Sequence, residues 1–156
     1  IFMCIIFYGE FMNDYIFKKL LKLEKKAFKK NEIPVGAIIV YNNKIIAQAY
    51  NKREKSNMIA NHAEILAIHK AAKKLNTWKL YNCILYVSLF PCPMCASAIQ
   101  QSRIKKVYYI NDSYNLAQKK ISENILKNNE LNHQVEYEKT TFDSNSLSNF
   151  FKKIRS

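Results

Sequence analysis

From Asn13 to about Lys30 the apolar positions Ile16, Leu20, Leu23 and Phe28, with Phe17 and Leu21 beside them, recur at helical spacing while lysines fill the gaps. Asn13 reads as the N-cap of that helix. Pro34 ends the pattern, and residues 35–41 form an apolar, β-branched run of strand character. Asn42-Asn43 supplies a turn, because Asn tolerates positive φ, and residues 44–50 return as a second strand to close a hairpin. Residues 51–60 are polar and irregular and read as a surface crossing. A helix then begins near His62 and ends near Asn76, its inner face built from Ile65, Leu66, Ile68, Ala71, Ala72 and Leu75. A third strand spans 84–89, the chain turns at Pro91, and a second helix covers 92–101. Beyond it lie a strand at 107–110, a weaker helix at 117–128, a short strand at 135–137 and a closing helix at 147–154. Strands alternating with helices in this way predict a layered α/β domain, its parallel strands joined by helical crossovers and an antiparallel hairpin at one edge.

The length of 156 residues is one domain's worth, and 49% apolar content with ten Tyr and nine Phe is enough to bury a core and to exclude a disordered chain. A formal net charge of +13 favours polyanionic partners through counterion release, although A/T-rich codon usage produces the same excess of Lys, Asn and Ile with scarce Gly and Pro. Of the four cysteines, Cys92 and Cys95 form a close pair, Cys83 sits in an apolar run as a small hydrophobe, and Cys4 lies far from all of them. That usage argues against a disulfide framework and for a reducing, cytoplasmic compartment. Residues 1–11 are apolar but too short to cross a bilayer, with no basic leader or small-residue cleavage site, so no membrane anchor is expected. They read as a non-native or disordered extension ahead of a single domain at 12–156.

The chemistry is concentrated in His62-Ala63-Glu64 and Pro91-Cys92-Pro93-Met94-Cys95. Catalytic zinc is held by three protein ligands, with water in the fourth position. His62, Cys92 and Cys95 make three, and Glu64 is placed to share the pocket as a proton shuttle rather than to ligate. Both motifs open helices, where backbone N–H groups and the macrodipole favour negative sulfur, and Pro91 and Pro93 suit a first helical turn. Zinc lowers the pKa of bound water to about 7, so a nucleophile exists at neutral pH, and an amidine-like carbon of a nucleobase would be deaminated hydrolytically. A lone Cys-x-x-Cys would also suit a redox pair or a zinc knuckle, but the knuckle needs a fourth ligand. His69 lies about 10 Å along the same helix from His62, too far to serve, and His133 reaches only if its loop folds back.

Over residues 34–103, and more loosely to the C-terminus, the chain resembles the bacterial tRNA-specific adenosine deaminases of the cytidine deaminase-like superfamily. The resemblance rests on Pro34-Val35-Gly36-Ala37, Tyr50-Asn51, Asn61-His62-Ala63-Glu64-Ile65, Leu85-Tyr86-Val87, the cysteine motif and Ser102-Arg103-Ile104, with Asn132-His133, Phe150-Phe151 and Arg155 near the end. Zinc deaminases, tRNA adenosine deaminases among them, carry this order of His-x-Glu and Pro-Cys-x-x-Cys. The resemblance implies a three-layer α/β/α sandwich with a five-stranded mixed sheet, a homodimer, one Zn²⁺ per subunit, and conversion of the wobble adenosine of a tRNA anticodon to inosine. It further implies that Asn51 hydrogen-bonds the flipped base, that the Ala63 backbone helps read its edge, and that Val35 lines the pocket. Asn51 also reads as a strand-terminating turn residue, Val35 as core, and Phe150-Phe151 either as an anticodon contact or as the apolar face of the last helix. Two departures stand out: Phe90 replaces an acidic residue before the Pro-Cys motif, and the loop at 111–116 lacks the family's glycine.

Three functions are thereby set against one another. The first is RNA editing on a looped-out adenosine, with the lysines of the first helix near the phosphates or simply solvated. The second keeps the chemistry but acts on a free base or nucleotide such as guanine, cytosine or dCMP. The third is a zinc-stabilised RNA-binding scaffold without turnover, against which the unligated Glu64 argues.

Overall fold

Asn42 and Asn43, at φ 48° and 59°, turn the chain tightly between two antiparallel strands, β1 (Gly36–Tyr41) and β2 (Lys44–Tyr50). The computed structural model describes the backbone of residues 2–155 and the side chains of residues 13–155. Ahead of the hairpin runs α1 (Phe2–Lys29). After it come a single turn α2 (Arg53–Ser56), then α3 (Ala63–Leu75), β3 (Ile84–Leu89), α4 (Pro93–Gln101), β4 (Lys106–Asn111), α5 (Leu116–Lys127), β5 (Glu136–Lys139) and α6 (Ser146–Arg155). The strands form one mixed sheet in the order β2-β1-β3-β4-β5. β1 is antiparallel to both β2 and β3, whereas β3, β4 and β5 are parallel.

Alternation along the strands divides the core. On one face Ala37, Ile39, Leu85, Val87 and Val107 pack beneath α3, α4 and α5, joined by Ala67, Ala71, Ile99 and Leu126. On the other, Ile38, Val40, Tyr86 and Ile110 meet Ile16, Phe17, Leu20 and Leu23 of α1. The closing helix lies against α1 through an edge-to-face pair, Phe28 with Phe150, at 6.0 Å. Helices therefore cover both faces, the three-layer arrangement expected of the sequence.

Two local readings are corrected. Asn13 does not cap a helix: α1 continues upstream through it, and its Oδ1 accepts from the Tyr86 hydroxyl at 3.3 Å. No proline interrupts residues 2–12, so nothing there forces a start at Asn13. The expectation of an extension over residues 1–11 falls where side chains lie outside the described ones. Residues 51–60 likewise contain the turn α2, whose cause is described with the site.

With only two glycines in the chain, asparagine takes the left-handed positions: six of the seven non-glycine residues with positive φ are Asn. Asn31, Asn57 and Asn76 each follow the end of a helix. At Asn31 the motif is complete, with its own N–H bonded to the Phe28 carbonyl and that of Glu32 to the Ala27 carbonyl. Gly36 is needed for a different reason. A Cβ there would lie 2.8 Å from Leu23 Cβ and 3.2 Å from the Leu20 carbonyl, so its absence lets α1 approach β1.

Candidate active site

Both helices that meet at the site begin on a residue with metal-binding chemistry. His62, with φ −72° and ψ 152°, is the N-cap of α3, and Cys92, with φ −69° and ψ 166°, is the N-cap of α4. Pro93 occupies the first turn of α4, where its missing N–H costs no helical bond. Because α4 follows β3 and α3 packs over β1 and β2, the two helix starts converge beyond the carboxyl end of β3.

His62 Nδ1 lies 3.7 Å from Cys92 Sγ and 3.5 Å from Cys95 Sγ. Ligand atoms of all three residues fall within 4.8 Å of one another, so one small cation could be held by them. Two sulfurs and an imidazole are the donors that zinc favours, and three of them leave a coordination position open. The electrostatics agree with a thiolate site. A hydrogen bond from the Cys95 thiol, further helped by His62 and the Cys95 backbone N–H, draws Cys92 down to about 4. Cys95, donating that bond in a buried position, is held well above the ordinary thiol value, and His62 is raised by its contact with Cys92. The other histidines stay apart: His69 is exposed, and His133 Nε2 pairs with the Ile104 carbonyl at 2.7 Å.

Glu64 lies in the first turn of α3 with 4% of its surface exposed, and burial pushes its carboxyl up to about 7. It opens with His62 and Cys92 onto a cleft of about 420 Å³. Val35, Asn51 and Ala63 line the same cleft, so the structure brings all seven sequence-predicted site residues around one space, with Cys95 buried just behind its wall. The Asn51 N–H bonds to the Val35 carbonyl at 3.0 Å, which locks these two positions side by side.

A family model described as MafB19-like deaminase matches residues 11–155. The tRNA-specific adenosine deaminase of Aquifex aeolicus is 43% identical over 144 residues, which cover 91% of this chain and 95% of that one. The chain belongs to the tRNA-specific adenosine deaminase family. Among solved structures, one from work on A-to-I editing by tRNA A34 deaminases at the wobble position is 28% identical with a TM-score of 0.73, over 82% of this chain and 99% of that chain. A guanine deaminase from Bacillus subtilis is 34% identical with a TM-score of 0.61, over 89% and 91% of the two chains.

The two departures of this tRNA-specific adenosine deaminase family member have structural accounts. Phe90 is 2% exposed and packs edge-on against Tyr109 at 4.8 Å and Tyr137 at 5.4 Å, forming an apolar wall of the cleft beside the cysteines. The loop at 111–116 needs no glycine because none of its residues has positive φ. Asp112 pairs with Lys119 and Lys139 at 2.7 Å each, and Asn115 caps α5 by accepting from the Gln118 N–H.

Three residues around the cleft escape sequence reasoning. Arg53 and Tyr114 line it, but lie in segments without periodicity. Glu32, fully buried, organises the loop beneath it: its carboxylate accepts from the N–H groups of Glu54 and Lys55 at 3.1 and 2.8 Å, and this creates the turn α2. The one sequence signal for Glu32 is an acid between a lysine-rich helix end and an apolar Ile-Pro-Val run.

Proposed function

We propose that this chain deaminates adenosine to inosine at the wobble position of tRNA anticodons, with a zinc ion held by His62, Cys92 and Cys95 and with Glu64 as its proton carrier. The observation that carries the reading is the buried Glu64 carboxylate, opening onto the cleft beside a three-ligand cluster that leaves a coordination position for water. When bound, the ion would activate water for attack at neutral pH. In the overall change the ring carbon gains oxygen and its bond to the amino nitrogen breaks. The Glu64 carboxylate takes the proton from water and delivers it toward the departing nitrogen, so ammonia leaves and a carbonyl remains. A carboxyl raised to about 7 by burial suits both halves of that transfer.

Asn51 would hydrogen-bond the base and Val35 would flank it. The Ala63 N–H, in the first turn of α3 where helical N–H groups lack intrahelical partners, would meet its edge. The net charge of +13 supports an RNA substrate, and exposed Met58, Ile59, Trp78 and Tyr81 offer apolar area that a second copy would cover in a homodimer. We place the enzyme in the cytoplasm, because the site requires reduced sulfur and Cys83, Cys92 and Cys95 are free thiols. Among the described residues no helix is long and apolar enough to cross a membrane.

Likeness to a guanine deaminase supports a second reading, deamination of a free base or nucleotide. Purified protein is incubated with anticodon stem-loop RNA, guanine, cytosine and dCMP, and inosine and ammonia are measured. The proposal expects wobble inosine; turnover of small molecules alone would refute it. Glu64→Gln should retain zinc by elemental analysis while kcat drops by about 10²–10⁴-fold. Unchanged turnover in that variant would remove the proton-carrier role.

A further inference from the structure

Asn51 follows β2 at the edge of the cleft, 5% exposed, and its amide is not free to turn. Its Nδ2 donates to Glu32 Oε2 at 3.3 Å, an oxygen that also accepts the Glu54 N–H, while Oε1 accepts the Lys55 N–H. A carboxylate offers acceptors only, so the amide must turn nitrogen toward Glu32. Asn51 Oδ1 is consequently buried with no partner among the described residues. A buried acceptor in that condition costs about 1–3 kcal/mol, which a ligand supplying a donor would recover.

Glu32 is itself fixed from three sides. The left-handed Asn31 ends α1 and sends the Glu32 N–H to the Ala27 carbonyl, and its side chain is fully buried ahead of Ile33 and Pro34. It does not line the cleft. Its influence on a ligand passes through Asn51.

We propose that Glu32 is a positioning residue that sets the hydrogen-bond polarity of the pocket, orienting Asn51 so that its carbonyl oxygen receives an N–H donor from the bound heterocycle. The inference rests on the reading of Asn51 as a base contact. It adds that the choice between acceptor and donor at that contact is made by Glu32, out of reach of the ligand. In Glu32→Gln the side chain keeps its shape but gains an NH₂ group. The arrangement that retains the most bonds then gives the Gln oxygen to the α2 N–H groups and turns the Asn51 oxygen toward residue 32, inverting what the ligand meets.

The test is a reciprocal exchange in the full-length, zinc-loaded protein, read as kcat/KM on anticodon stem-loop RNA with zinc content and thermal midpoint measured alongside. E32Q and N51D should each lose about 10–100-fold, the first by inverting the amide and the second by setting two carboxylates face to face. The double variant E32Q/N51D restores one N–H···O bond between the two positions and again leaves an oxygen for the ligand, so it should regain at least about tenfold over either single change. Failure of the double variant to regain activity, or wild-type kcat/KM in E32Q, overturns the proposal. Were Glu32 only a cap for α2, E32Q would lower the thermal midpoint and N51D would not rescue it. N51A separates the two layers: wild-type activity there removes the base contact itself, whereas a loss in N51A without rescue by the exchange removes only the role of Glu32. If E32Q folds poorly, N51D against the double variant decides the same question.

Discussion

Gly36→Ala tests whether the helix-to-sheet approach that supports the cleft is as tight as the structure has it. The new Cβ would stand 2.8 Å from Leu23 Cβ, and ordinary contact begins near 3.4 Å, so α1 and β1 must separate by about 0.6 Å. The obstacle is another Cβ and a backbone carbonyl rather than the end of a flexible side chain, so rotamer changes do not relieve it. Movement of β1 is resisted in turn, because Ser88 Oγ accepts the Gly36 N–H at 3.0 Å and bonds its carbonyl at 3.3 Å. Overpacking of this kind costs about 1–3 kcal/mol. Loss of glycine's freedom in the unfolded chain offsets about 0.4–1 kcal/mol. The net expectation is ~1–2 kcal/mol of destabilisation, a fall of about 2–8 °C in Tm for a domain of this size. Thermal and urea unfolding of zinc-loaded protein measure it. Since Val35 precedes Gly36 and its carbonyl holds the Asn51 N–H, kcat/KM at a temperature well below Tm should fall as well. A variant as stable as wild type, or more so, would show only the unfolded-chain gain and refute the close approach.

Phe90→Ala removes a side chain that is 2% exposed and in edge contact with two tyrosines, so it should cost about 3–5 kcal/mol by denaturant titration while zinc stays bound; a cost below about 1 kcal/mol would mean that Phe90 is not a packed wall. Burial raises the Cys83 thiol from an ordinary value of 9.0 to about 11, so the folded state binds that proton more tightly than the unfolded chain. The resulting stability is present in full below about pH 9 and is lost as pH rises toward about 11, worth ~2–3 kcal/mol across the interval. Urea midpoints for Cys83→Ala should decline less steeply over that range than for wild type, and parallel declines would contradict the assignment.

The fold is legible in the sequence wherever one side chain's neighbours are set by local spacing. Ala37 and Ile39 alternate with Ile38 and Val40, and that alternation alone assigns β1 to a sheet covered on both faces. The paired asparagines disclose the hairpin, because two adjacent residues tolerant of positive φ have few other uses between apolar strands. The start of α1 is not legible at Asn13, because an N-cap residue type says nothing about whether the residues before it are also helical.

The site divides along the same line. His62 and Cys92 can be read because each opens a helix and its chemistry is carried by a motif of a few residues, so local structure brings the donors to helix ends that the topology then joins. Glu32 cannot be read in this way. It stands 19 positions before Asn51, in another element, and the feature that gives it a role is the convergence of three N–H donors on one buried carboxylate. No periodicity marks that convergence, and its sequence neighbours Lys29, Lys30 and Asn31 make a solvated acid the natural reading. Only the left-handed turn at Asn31, which swings Glu32 inward from the end of α1, converts a surface-type residue into the buried partner of Asn51. A polar group placed beneath a cleft by long-range topology is thus hidden from the sequence for the same physical reason that it can control the cleft: its partners come from separate segments, and folding alone assembles them.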